Sequence, residues 1–171
     1  MFKKLQIFID FIFFFPMLLG MMGSHVACAQ DMLKGVDLEQ PAYSQAELTR
    51  ADIEKAIINH SNGTSLDFSR KSLNGLDLSG LNLSGCNFYA ARMNKTDLSN
   101  ANLEGAILDQ AWLIEANLTN ASLKGANAFA AQMQRVRADK ANFSNIRLTA
   151  DLTGASLRET LFYEADLSAD M

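Results

Sequence analysis

From Ser65 to Leu167 the chain repeats an apolar and polar pattern with a period of five. The apolar centres run Phe68, Leu73, Leu78, Leu83, Phe88, Met93, Leu98, Leu103, Leu108, Leu113, Leu118, Leu123, Ala128, Met133, Ala138, Phe143 and Leu148. After the loss of one residue they resume at Leu152, Leu157, Phe162 and Leu167. Two places before each centre the residue is usually small, as at Cys86, Ala91, Thr96, Ala101 and Ala116. The first four repeats depart from this with Leu66, Lys71, Leu76 and Leu81, and Ile146 departs later.

A period of five excludes the two regular structures. On an α-helix, residues five apart are rotated by about 140°, so the centres would spiral off any single face. On a continuous strand, an odd spacing would send successive centres to opposite sides. The chain must therefore turn once per repeat. The small residue and the centre, two apart, point to the same side, and a corner of about 90° restores that side for the next pair. Four repeats close a square, one coil takes twenty residues, and coils stack at the strand spacing of about 4.8 Å. Four inward centres fill the narrow interior, which explains the small residues beside them.

Ahead of the repeats the pattern predicts one short amphipathic helix, from Thr49 to Asn59. Thr49 is an N-cap, Asp52 suits the positive helix end, and Leu48 with Ile53 occupy the positions of a hydrophobic staple. Ile53, Ala56 and Ile57 share a face, and Asn59, Asn62 and Gly63 supply a stop. The helix is expected to cover the first coil.

The N-terminus carries a different hydrophobic signal. A basic start at Lys3 and Lys4 precedes an apolar run of twelve from Phe11 to Met22, the length of a signal-peptide core and well short of the roughly 20 residues that span a bilayer. Ala27, Cys28 and Ala29 form a cleavage site, with the mature chain beginning at Gln30. The expected organisation is a signal peptide over 1–29, a linker and capping helix over 30–64 and the repeats over 65–171. The product is expected to be exported, periplasmic or secreted, with no transmembrane span in the mature chain. Cys28 raises the lipoprotein alternative, but His25 stands where lipid attachment wants an aliphatic residue.

Composition narrows the function. The net charge is -4, so no basic footprint marks a nucleic-acid binder. Cys28 and Cys86 are the two cysteines, which excludes a disulfide framework and leaves Cys86 as a small apolar group. Asp77 and Asp97 should lie one coil apart, as ordinary wall carboxylates. No histidine cluster, nucleophile triad or glycine-rich phosphate loop occurs, so no catalytic residue, metal ligand or cofactor is expected.

Ala-Asn-Leu-Glu-Gly at 101–105, Ala-Asn-Leu-Thr-Asn at 116–120, Ala-Ser-Leu-Lys-Gly at 121–125 and Ala-Asp-Leu-Ser-Ala at 165–169 resemble the A(D/N)LXX motif of the pentapeptide-repeat family. The resemblance covers roughly the last 105 residues. It implies an all-β solenoid, the right-handed quadrilateral β-helix, here of about five coils. It implies little about activity, because the family is functionally diverse and its best-known members are DNA mimics that bind topoisomerase.

Twenty residues per coil sort the outward positions onto four walls. The walls centred on Leu78, Leu98 and Leu118 and on Leu83, Leu103 and Leu123 present polar residues, with Asn82 and Asn102 stacked as an amide ladder. The other two walls gather apolar outward residues at mid-length: Tyr89, Ile107 and Phe129 on one, Trp112 and Ile114 on the next. These five are the candidate partner surface. At the far end Leu161 and Tyr163 flank Phe162, a candidate two-fold dimer contact through the last coil. The expected function is a non-enzymatic binding or scaffold protein with an unidentified protein partner. The alternative is a DNA-mimic inhibitor of a type II topoisomerase. Duplex DNA carries one charge per about 1.7 Å, so five coils would need on the order of fifteen negative charges. Removal of Lys3, Lys4 and Asp10 with the signal leaves 13 basic and 18 acidic residues, a net charge of -5 that is far short of that.

Overall fold

The computed structural model describes residues 45–60 and 65–168. The expected signal peptide, Cys28, the Ala29–Gln30 cleavage site and the Asn62–Gly63 stop lie outside the described residues. Among the described residues no helix is long and apolar enough to cross a membrane.

The repeats form a parallel ladder in which residues twenty apart pair: Asp67 with Asn87, Ser72 with Arg92, Asp77 with Asp97, and Asn82 with Asn102. These pairs define four walls, numbered 1 to 4 and centred in the first coil on Phe68, Leu73, Leu78 and Leu83. Each wall gives three backbone hydrogen bonds to the next coil. On wall 3, Leu78 N–H donates to the Asp97 carbonyl (2.7 Å), Gly80 N–H to the Ser99 carbonyl (2.9 Å), and Asp97 N–H to the Leu76 carbonyl (2.8 Å). The corner is closed by Leu81 N–H donating to the Leu78 carbonyl at 3.4 Å. Its second residue has positive φ whether it is glycine, as at Gly80 (69°), or not, as at Arg70 (60°) and Lys95 (58°). Negative then positive φ is the pattern of a type II turn. At Gly154 φ is +71°, and an added Cβ would lie 3.1 Å from Arg135 Cγ, a tight contact to which that side chain would have to yield.

Where an Asp or Asn precedes the centre, it usually has a definite task. Its side-chain oxygen accepts the N–H two residues on, as in Ser69 to Asp67 (2.9 Å), Ser99 to Asp97 (2.9 Å) and Glu104 to Asn102 (3.0 Å). This Asx turn satisfies an N–H that the ladder leaves unused.

The single-residue loss is absorbed at one corner. Strand β1 (Asn127–Gln132) pairs in parallel with β2 (Arg147–Asp151), and the register shifts between Phe129 and Gln132. Pairs before it are twenty apart and pairs after it nineteen, as in Arg137 with Ser156 and Asn142 with Leu161. Every wall therefore keeps its stacking beyond the irregularity.

The centres make one continuous core in which Leu73, Leu103, Leu113 and Leu118 are fully buried. Phe68 and Phe88 stack on wall 1, with ring centroids 5.5 Å apart. The coil of Ala128, Met133, Ala138 and Phe143 has a different balance of sizes. Alanines on the opposed walls 1 and 3 make room for Phe143 and Met133 on the other two, so the cross-section stays filled.

Helix α1 (Arg50–Asn59) begins with a complete capping box between Thr49 and Asp52. It buries Ile53 against the core, with Leu48, Ala56 and Ile57 packed beside it. The segment also takes the place of a missing coil. Glu47 N–H donates to the Ser72 carbonyl (2.7 Å), as Leu73 N–H does to the Arg92 carbonyl one coil on. The Arg50 guanidinium donates to the Asp77 carbonyl (2.9 Å) and the Ser79 carbonyl (3.2 Å). In the next coil the equivalent carbonyls, Asp97 and Ser99, accept backbone N–H groups of Leu78 and Gly80. One side-chain fork thus replaces two backbone donors. Ser72 Oγ additionally donates to the Gln45 carbonyl.

Candidate functional site

Two regions were expected to carry binding, the mid-length apolar walls and the last coil. Wall 1 places Tyr89 and Phe129 in the column just after the centre, with Asp109 between them, and Ile107 in the column just before it. Asp109 divides this surface: its carboxylate accepts Phe129 N–H (2.8 Å) and an Asn127 amide N–H (3.0 Å). The aromatic rings are also engaged. The Arg147 guanidinium lies 5.4 Å from the Phe129 ring centre and that of Arg70 6.0 Å from the Tyr89 ring, while Tyr89 OH donates to Gln110 Oε1 at 3.2 Å. Ile107 and Phe129 are 38% and 36% exposed, and Tyr89 and Trp112 are half-buried.

Ile114 corrects the sequence expectation. It was expected to face outward beside Trp112, but it is only 4% exposed. The cause is a second way of satisfying the corner N–H. On wall 2 the residue before the centre is Arg92 or Trp112, which cannot accept in an Asx turn, and an asparagine one coil below accepts instead. Asn94 N–H donates to Asn74 Oδ1 (2.8 Å) and Ile114 N–H to Asn94 Oδ1 (3.1 Å). This buried column runs along the wall and carries Ile114 with it, so Trp112 and Ile114 do not form a joint patch. Asn74 and Asn94 were not singled out from the sequence, because the motif sets no requirement at their position.

The last coil is different. Leu161, Tyr163 and Leu167 are 57%, 70% and 58% exposed, and among the described repeat residues they are the most exposed large apolar groups. Phe162 is half-exposed and meets Phe143 edge-on at 5.3 Å. Backbone groups are open here too. Among the described residues, no backbone group pairs with the N–H groups of Leu157, Glu159, Phe162 and Glu164 or with the carbonyls of Ala155 and Thr160. Tyr163 and Glu164 are hydrogen-bonded to each other, which raises the phenol's pKa; an Asn145 amide, the leading influence on Glu164, together with Tyr163 lowers the carboxyl's.

The remaining chemistry is structural. Asp77 and Asp97 are register partners but are bound separately, Asp77 by Arg50 (3.1 Å) and Asp97 by an Asn117 amide N–H (3.0 Å). Hydrogen bonds from the Ser79 hydroxyl and N–H hold the Asp77 carboxyl below the usual aspartate range. Burial pushes the Cys86 thiol up to about 11, which leaves it an unreactive wall of the core. Among the described residues no group of three or more His, Cys, Asp and Glu side chains is placed to hold a metal ion. Asn102 Nδ2 donates to Asn82 Oδ1 at 3.2 Å, forming a rung of the amide ladder.

Comparison with known proteins finds the family model for pentapeptide repeats over residues 67–110 and 106–145, in eight copies. No curated protein sequence matches the chain. Among solved structures, the pentapeptide repeat protein Rfr23 of the cyanobacterium Cyanothece 51142 is 33% identical, with 53% of this chain and 58% of that one covered and a TM-score of 0.43. HetL of Nostoc sp. strain PCC 7120, described as involved in heterocyst differentiation regulation, is 27% identical over 57% of this chain and 54% of its own, with a TM-score of 0.44. A pentapeptide repeat protein of the Arabidopsis thaliana thylakoid lumen is 28% identical over 56% and 63%, also with a TM-score of 0.44. The chain thus spans less than two thirds of the length of each of these structures. Proteins of this family fold as right-handed β-helices and are generally binding or scaffold proteins rather than enzymes. Its repeats, the Asx-turned corners that shape them and the match over residues 67–145 identify this stretch of the chain as pentapeptide repeats.

Proposed function

We propose that this chain is a non-enzymatic binding or scaffold protein that works after export, as a β-helix of about five coils capped by α1, and docks through its C-terminal coil. The observation that carries this reading is the coincidence, on one end, of Leu161, Tyr163 and Leu167 with open backbone groups. Open strand edges and exposed apolar clusters are each a cause of association. Their partner here is first of all a second copy. On wall 4 the Thr160 carbonyl and Phe162 N–H flank Leu161, and an antiparallel two-fold pairing exchanges both bonds between copies while the Leu161 side chains meet.

Sedimentation of the chain from Gln30 onward at micromolar concentration tests this reading. A dimer that Tyr163→Glu converts to monomer supports it. A monomer whose mass is unchanged by Tyr163→Glu overturns it. The topoisomerase alternative has less support, because Arg137, Lys140 and Arg158 are exposed on wall 3 within two successive coils and interrupt any acidic face.

A further inference from the structure

The two ends of the solenoid are chemically complementary to each other. Three bonds join each wall to the next coil, so an edge facing the N-terminus offers one N–H and two carbonyls per wall. The opposite edge offers one carbonyl and two N–H groups. On wall 3 the first set is Asp77 N–H with the Asp77 and Ser79 carbonyls, by homology with Asp97 and Ser99 in the next coil. The second set is the Ala155 carbonyl with the N–H groups of Leu157 and Glu159. On walls 2 to 4 an N-terminal edge laid on a C-terminal edge would regenerate the bonds already present between successive coils, while on wall 1, where the described repeats both begin (Phe68) and end (Leu167), one of the two terminal repeats must give way.

The N-terminal edge is occupied by the chain itself. Arg50 fills both wall 3 carbonyls, and Glu47 N–H fills the Ser72 carbonyl of wall 2. The side chain of Glu47 also pairs with Arg92 (3.2 Å) and Lys71 (3.6 Å). Only one residue of the segment, Ile53, is fully buried, so polar and ionic contacts carry much of its attachment. In a head-to-tail stack, Asp77 of the second copy falls one coil beyond Ser156, beside Arg158. Arg158 is then positioned to replace Arg50 as its cation.

We propose that the N-terminal edge of the solenoid is an assembly surface whose fitting partner is the C-terminal edge of a second copy, and that residues 45–59 are the plug that keeps them apart. A contact between unlike ends is heterologous and does not close, so unplugged chains form linear polymers rather than dimers. Terminal caps that block such growth are a general requirement of solenoids. The inference uses the same C-terminal edge as the two-fold dimer, and the test separates them.

The full chain carrying Arg50→Glu with Ile53→Asp is examined by sedimentation and electron microscopy, with far-UV circular dichroism to follow the fold. The expected result is a β-rich protein whose mass rises with concentration past that of two chains. Unaltered protein, whose N-terminal edge is plugged, should shorten these polymers by occupying their ends, and adding Leu157→Pro, which removes a C-terminal-edge donor, should suppress them. A folded variant that stays monomeric or stops at two chains overturns the proposal. If the double variant loses its β signal, Arg50→Ala with Ile53 intact takes its place, and a monomer at every concentration overturns it equally. Polymers from the variant together with monomeric unaltered protein would reject the two-fold dimer and uphold the plug.

Discussion

Replacing Arg50 tests whether one side chain stands in for part of a coil. Its guanidinium holds two main-chain carbonyls and two carboxylates, those of Asp77 (3.1 Å) and Glu54 (2.7 Å). Hydrogen bonds to charged groups are worth about 1.5–3 kcal/mol when buried. With the side chain 37% exposed, water replaces part of what is lost, and Arg50→Ala is expected to cost about 1–2 kcal/mol in all. Arg50→Lys keeps the charge but not the fork, so it should restore less than half of that loss. Asp77→Asn keeps an acceptor for Ser79 and removes only the exposed ion pair, for about 0.2–1 kcal/mol. Urea titration followed by the single tryptophan, Trp112, reads these as shifts in midpoint at constant slope, about 0.5–1 M for Arg50→Ala. The order should be Arg50→Ala, then Arg50→Lys, then Asp77→Asn. If Asp77→Asn costs as much as Arg50→Ala, the ion pair rather than the carbonyl contacts fastens the helix, and the reasoning fails.

Leu103→Ala and Leu118→Ala remove fully buried centres from a rigid square and should each cost about 2–5 kcal/mol. Asn117→Ser loses the contact to Asp97 but retains a short acceptor, so it should cost under about 1 kcal/mol; equal costs in urea would refute the five-residue register. Hydrogen bonds from Ser69, Ser79, Ser156 and Ser168 hold the carboxyls of Asp67, Asp77, Asp139 and Asp166 below their ordinary value. Their folded pKa values lie below the unfolded ones, so their stabilisation is complete above about pH 4 and is lost as pH falls through the folded values. Urea midpoints should therefore drop from pH 5 to pH 3, and a flat profile would contradict the Asx-turn account. The exported protein should begin at Gln30 on N-terminal sequencing, and a lipid-bearing Cys28 at the start would replace soluble export with a lipoprotein.

Much of the fold is legible in the sequence because a period of five allows only one side to face inward. Leu78, Leu103 and Leu118 had to be core once the chain was known to turn at each repeat. Thr49, Asp52 and Ile53 announced the helix for local reasons, since caps and staples act over a few residues. Ile114 was misjudged because its direction depends on Asn94, twenty residues away, and neighbours across a coil do not show in a five-residue pattern. The same distance hid Arg50, whose partners Asp77 and Ser79 lie 27 and 29 residues on. Leu161 and Tyr163 could be placed outward from register alone, while the division of the mid-length surface by Asp109 needed the structure.

Amide hydrogen exchange at the last coil, followed as a function of protein concentration, tests the central claim most directly. Leu103 and Leu118 N–H groups donate to the Ser122 and Arg137 carbonyls and should be protected at every concentration. Phe162 N–H, with no backbone partner among the described residues, should exchange rapidly in dilute solution and become protected as the protein is concentrated. Rapid exchange of Phe162 at all concentrations, with the inner coils protected, would contradict docking through this end.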